Sequence, residues 1–108
     1  MNLLHSRFIF QDNVGTIGNG TKLMVDQATK VYLQVDATST FKAVVEGSIN
    51  GTNYFTIGSI VKMDDLAVIS EITDAGKLYQ VNIEGLVSVR VKITEIDELV
   101  TIVGRVYN

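Results

Sequence analysis

The sequence predicts an all-β protein: an antiparallel β-sandwich, jelly-roll or immunoglobulin-like, with about seven to nine short strands. Three observations carry this. Apolar and polar residues alternate with a period of two in run after run. β-branched side chains fill those runs, as a pleated, half-buried surface favours. Gly, Asn and Asp signals separate them at intervals of roughly 8 to 12 residues. No segment carries a full helical stripe; residues 63–71 come nearest.

Taken in order, residues 3–10 form a weak strand candidate in which Phe8, Ile9 and Phe10 stand before the Gly/Asn-rich stretch NVGTIGNG. Residues 1–20 therefore read as a first strand plus loop, or as an N-terminal arm whose phenylalanines pack on a neighbouring subunit. Residues 21–108 read as the sandwich domain. Within it, residues 21–26 are a weak strand. In 31–36, Val31, Leu33 and Val35 share one face against Gln34 and Asp36. Strands are also expected at 40–46, 54–62, 67–72 and 100–106. The split is cleanest in two other runs. Tyr79, Val81 and Ile83 oppose Gln80, Asn82 and Glu84; Val87, Val89, Val91 and Ile93 oppose Ser88, Arg90, Lys92 and Thr94.

Between them lie turn signals at Gly15, Asn19-Gly20, Asn50-Gly51, Asp74-Ala75-Gly76 and Gly85. Asn50-Gly51 is the strongest, because a type I′ hairpin needs positive φ at both central residues. Gly47 permits a bulge or a close backbone approach. The turn and loop residues to watch are Asn50, Gly51, Asn53 and Tyr54. With no Pro in the chain, the sheet edges need closure, charges such as Lys30 and Lys42, or a partner subunit.

A chain of 108 residues, 46% apolar and 19% charged, can bury a real core as one domain. Its net charge of −3 argues against nucleic acid, which demands a basic surface. Without cysteine there are no disulfides or thiolate metal sites. No run approaches the roughly 20 apolar residues of a membrane span, and MNLLHSRFIF has no leader-like features, so no signal peptide is expected.

The catalytic inventory is nearly empty. His5 is the single histidine, without the orienting carboxylate and placed nucleophile that a triad requires. Asp64-Asp65 and Asp97-Glu98 lack the spacing of a calcium loop and read as solvated turns. Two Asn-Gly-Thr matches to the glycosylation pattern are accidental if no leader is present. Neither an enzyme, a cofactor nor a bound metal is expected. Arg90, on the polar face of its strand, reads as a surface ladder with Glu46 or Glu84 worth under ~1 kcal/mol, or as an interface residue beside Phe8, Ile9 and Phe10.

The order of motifs carries a resemblance. A β-run leads into Glu46-Gly47-Ser48 and Asn50-Gly51-Thr52-Asn53-Tyr54. Gly76, Tyr79 and Val81 follow, then Gly85-Leu86 with Val89-Arg90-Val91, then Val100-Thr101-Ile102 with Gly104-Arg105. This resembles the small β-sandwich virion modules of tailed bacteriophages, over residues 29–106. Asn50 stands where Asp is common and Tyr54 where Trp is usual. The resemblance implies a structural role: a capsid decoration or accessory protein, in the virion after synthesis in the host cytoplasm. It would bind itself, with a trimer favoured, and other virion proteins such as the major capsid or tail proteins. The alternative is a tail or baseplate module that binds host cell-wall carbohydrate through exposed tyrosines. Neither membrane nor nucleic acid is an expected partner.

Overall fold

The computed structural model describes residues 3–108, and the backbone alone for residues 4–6. Met1 and Asn2, the start of the expected arm, lie outside the described residues, as does the side chain of His5. Eleven strands form two antiparallel sheets. They are β1 (Leu3–Val14), β2 (Gly18–Asn19), β3 (Leu23–Met24), β4 (Lys30–Ala37), β5 (Phe41–Ser48), β6 (Phe55–Ile57), β7 (Ile60–Lys62), β8 (Ala67–Ile69), β9 (Leu78–Asn82), β10 (Ser88–Ile96) and β11 (Val100–Tyr107). The larger sheet runs β1-β11-β4-β9-β7-β8 and the smaller one β2-β10-β5-β6, with β3 also on β10. The fold is a β-sandwich, and no helix occurs among the described residues.

Period-two alternation builds the core. Val31, Leu33 and Val35 of β4, and Val89, Val91 and Ile93 of β10, are all at most 1% exposed. They face one another across the sheets while their polar neighbours face out. Consecutive strands β4 and β5 lie in opposite sheets, as do β10 and β11. Because β11 pairs with β4 and β10 with β5, the two chain crossings stack at one corner. There Thr38 N–H donates to the Leu99 carbonyl (3.1 Å), Asp97 N–H to the Thr40 carbonyl (3.2 Å) and Ser39 Oγ to Asp97 Oδ2 (3.1 Å).

Four expectations change. The 54–62 run is not one strand: Gly58-Ser59 carries the chain from β6 in the smaller sheet to β7 in the larger. The 67–72 run shortens to β8, with Ile72 bridging Ala43 of the other sheet. Asn50-Gly51 is not a type I′ turn. Among the described residues Asn50 has no positive φ while Gly51 has φ 81°, and β5 returns as β6 only at Gly47↔Phe55. Lys30 is paired on both sides, with Tyr107 and Asn82, so it guards no edge, whereas Lys42 pairs with Glu95 of β10 on one side and lies beyond the reach of β6 on the other.

The N-terminal segment is woven into the sandwich. β1 pairs with β11 through repeated register shifts, and Phe10 is 1% exposed in the core. Its ring fills the space above Gly104, where a Cβ would lie 2.6 Å from Phe10 Cε2. Phe10 is therefore a core side chain, and the expected subunit contact at this position gives way to packing within the chain.

Candidate functional site

With the core assigned, function falls to the two outward faces and the loops between them. On the smaller sheet, Arg90 of β10 stands opposite Glu46 of β5. Its Nε donates to Glu46 Oε1 at 2.8 Å, while Glu84 forms no ion pair with it among the described residues. The pair is no exposed ladder, because the side chains are only 22% and 11% exposed. Tyr54 is the cover: its ring centroid lies 3.9 Å from the guanidinium carbon. Its hydroxyl meets Ser88 Oγ, itself fully buried, at 2.6 Å. A cation held over an aromatic face and against a carboxylate is worth more than a solvated pair.

The 49–53 loop explains its own composition. Ser48 Oγ accepts from the backbone N–H of Asn50 (3.2 Å) and Gly51 (2.8 Å). Asn50 Oδ1 accepts from the N–H of Thr52 and of Asn53, both at 2.9 Å. Ser, Asn and Thr here serve the backbone, as such residues do in turns. They hold a stiff tip that leaves Ile49 and Phe55 each 73% exposed. Of the expected contact residues, Arg90 and Tyr54 are brought together, Asn50 and Gly51 shape the loop, and Asn53 is exposed at its tip. Phe8 is half-buried, ring edge to ring face with Phe10 at 4.9 Å. Ile9 lies beside Val103, both in the larger sheet.

The larger sheet's outer face gathers Tyr32 and Tyr107, two of the tyrosines of the carbohydrate alternative, with Arg7 and Arg105, to which the sequence reading gave no contact role. Arg105, Tyr32 and Gln80 stand side by side on β11, β4 and β9; Val103, Gln34 and Leu78 form the next row. Gln80 Nε2 donates to the Tyr32 hydroxyl at 2.9 Å, and the Tyr32 and Tyr107 rings meet edge to face at 5.5 Å. Arg7 of β1 joins them around a depression of about 280 Å³. The signal was present in the outward parity of Lys30-Tyr32-Gln34 and Val103-Arg105-Tyr107. It was invisible without knowing that these two strands are neighbours.

The acidic turns hold lysines. Lys77 Nζ lies 2.8 Å from Asp64 Oδ2, and this hydrogen bond holds the Asp64 carboxyl below its ordinary value. Lys62 reaches Asp74 (3.3 Å) and Asp65 (3.8 Å), and the Asp74 bond leads the upward shift of its ammonium. No cluster of three or more His, Cys, Asp or Glu suited to a metal occurs among the described residues.

Comparison with known proteins gives one family and two solved folds. The XepA family model matches residues 5–106. The SPBc2 prophage-derived protein YomS superposes with a TM-score of 0.85 at 15% identity, covering 98% of this chain and 95% of that one. The PBSX exported protein XepA superposes with a TM-score of 0.84 at 21% identity, over 98% of this chain. The chain spans only 38% of that protein's length. No curated protein gives a significant sequence match.

Proposed function

The chain belongs to the XepA family of small, phage-derived β proteins, and on that premise we propose that it is a non-enzymatic virion structural protein. In this reading it is a capsid decoration or accessory protein that binds the particle surface as a homo-oligomer, a trimer being the favoured state. The observation that carries it is the stiff β5–β6 tip. Ile49, just past the end of β5, and Phe55, the first residue of the three-residue edge strand β6, flank it and are each 73% exposed. Large apolar side chains held out by a rigid loop at a sheet edge favour a protein contact. Symmetric copies cover such an edge without a second gene product. The description of PBSX XepA as exported accords with work done outside the compartment of synthesis.

The experiment is a mass-spectrometric inventory of purified particles from the phage that encodes the chain. Many copies per particle, lost together with particle stability on deletion of the gene, are expected. Absence from particles ends the proposal.

A second reading, a tail or baseplate module that binds host cell-wall carbohydrate, is favoured by one specific observation. The Tyr32–Tyr107 pair lies on an open sheet face beside arginines and amides, the mixture that orients polyhydroxylated ligands.

A further inference from the structure

We propose that the outer face of the larger sheet binds an acidic saccharide, with Arg7 and Arg105 gripping its anionic group. The inference rests on the second reading above and gives it a ligand class. Charge is the first ground. Lys42, Lys62, Lys77 and Arg90 all lie against carboxylates; Arg7, Lys22, Lys30, Lys92 and Arg105 meet none among the described residues, and of these Arg7 and Arg105 line the same depression. The chain as a whole is acidic, at −3, so two unmatched guanidinium groups around one depression do not follow from bulk composition. Like charges on neighbouring strands repel. An anion lying between them removes that repulsion and takes up their fork-shaped donors.

The remaining lining selects a sugar over a bare anion. Tyr32 is pinned from two sides, by the Tyr107 ring and by the Gln80 amide, which donates to its hydroxyl. The phenolic hydrogen is left to donate outward. Gln34 adds an exposed amide, and Leu78 and Val103 supply apolar surface for the face of a ring. At about 280 Å³ the depression suits one or two rings. The larger depression lined by Lys42, Glu95 and Asp97 lacks this character. Lys42 is already set against Glu95, and Asp97 accepts from Ser39.

The test titrates the intact protein with trigalacturonate, its neutral methyl ester and inorganic phosphate, following backbone amide signals and the dissociation constant. Trigalacturonate should move the signals of Tyr32, Gln34, Gln80 and Arg105. The pair R7Q and R105Q together should weaken it by about tenfold or more. Both side chains are exposed, so an unchanged thermal midpoint certifies the variant's fold. R105Q alone, with a loss of roughly threefold, serves if the double variant melts early. Equal binding of the methyl ester at this face overturns the inference and leaves the glycan reading standing. Equal binding of phosphate reduces the site to an anion site and overturns it as well. Binding by none of the three removes both inference and glycan reading, without touching the virion proposal. A change in oligomer mass in R7Q/R105Q, with trigalacturonate affinity intact, assigns the face to a second copy and overturns the inference.

Discussion

At the residue scale, glycines with similar sequence surroundings do different work. Asn19-Gly20 and Asn50-Gly51 are both Asn-Gly-Thr, and both read as turns. Gly51 has φ 81° with open space around it, so Ala there pays only for the left-handed backbone, about 1 kcal/mol. Gly20 instead threads between the sheets. Its N–H donates to the Val91 carbonyl at 2.9 Å and the next N–H, of Thr21, to the Phe10 carbonyl at 3.0 Å. A Cβ on Gly20 would overlap the Phe10 carbonyl oxygen outright and lie 2.9 Å from that of Val91. Both are backbone atoms that cannot swing aside. Gly20→Ala should cost about 3 kcal/mol or more against about 1 for Gly51→Ala, read as midpoints of urea unfolding; equal costs would refute the threading. Tyr79 gives a second residue-level prediction. It is fully buried with its hydroxyl donating to the Asp74 carbonyl at 2.6 Å. Burial first, then the Asp74 carboxylate, raises its pKa above 10.0. The folded state thus keeps a proton that the unfolded chain releases near pH ~10. Its contribution is whole below that pH and drains away as pH rises toward the folded value, at no more than about 1.4 kcal/mol per pH unit. Tyr79→Phe should abolish this component of the alkaline loss while lowering stability at pH 7 by about 1 kcal/mol.

At the scale of elements, legibility followed burial. β4, β9, β10 and β11 announce themselves because each has one face sealed and one wet, the condition that writes alternation into sequence. The 54–62 run fails the same test: its two halves serve different sheets, and what reads as a single strand hides a change of partner at Gly58. β1 was ambiguous for another reason. Its bulges break the period of two, so Phe10 and Gln11 are both buried although adjacent. Gln11 Nε2 then reaches the Val91 carbonyl of the other sheet at 2.7 Å, a contact no local pattern encodes. This settles what β1 should do when removed. Deleting residues 1–20 takes away Phe10, the edge pairing of β11, the Gln11 clamp and the Gly20 threading at once. The truncated chain should lose its β-type circular dichroism and its cooperative melt. A folded, melting remainder would mean that the segment is an arm after all.

At the scale of the whole molecule, the question is how a sandwich without a single proline keeps its edges from pairing indiscriminately. The edges that end the larger sheet are a heavily bulged β1 and a three-residue β8; the smaller sheet ends on β6, also three residues long. Shortness and bulging blunt an edge as well as charge does, which is why Lys30 was free to lie inside a sheet. On one flank the sheets are also stitched together, through Gly20, Thr21 and Gln11. Among the described residues the β6 side has no comparable stitch beyond the bridge from Ile72 to Ala43 of β5, and it is the side that bears the exposed Phe55 and Ile49. If copies meet there, the contact is made by side chains on a loop already rigid in the monomer, so little ordering entropy opposes it. Replacing both by serine should then shift the light-scattering mass from oligomer to monomer. Because neither side chain is in the core, the thermal midpoint of the separated monomer should be little changed. A mass unaffected by the double replacement would move the subunit contact to another face and leave the tip to a capsid or tail protein, a choice that the same variant resolves when its incorporation into particles is measured.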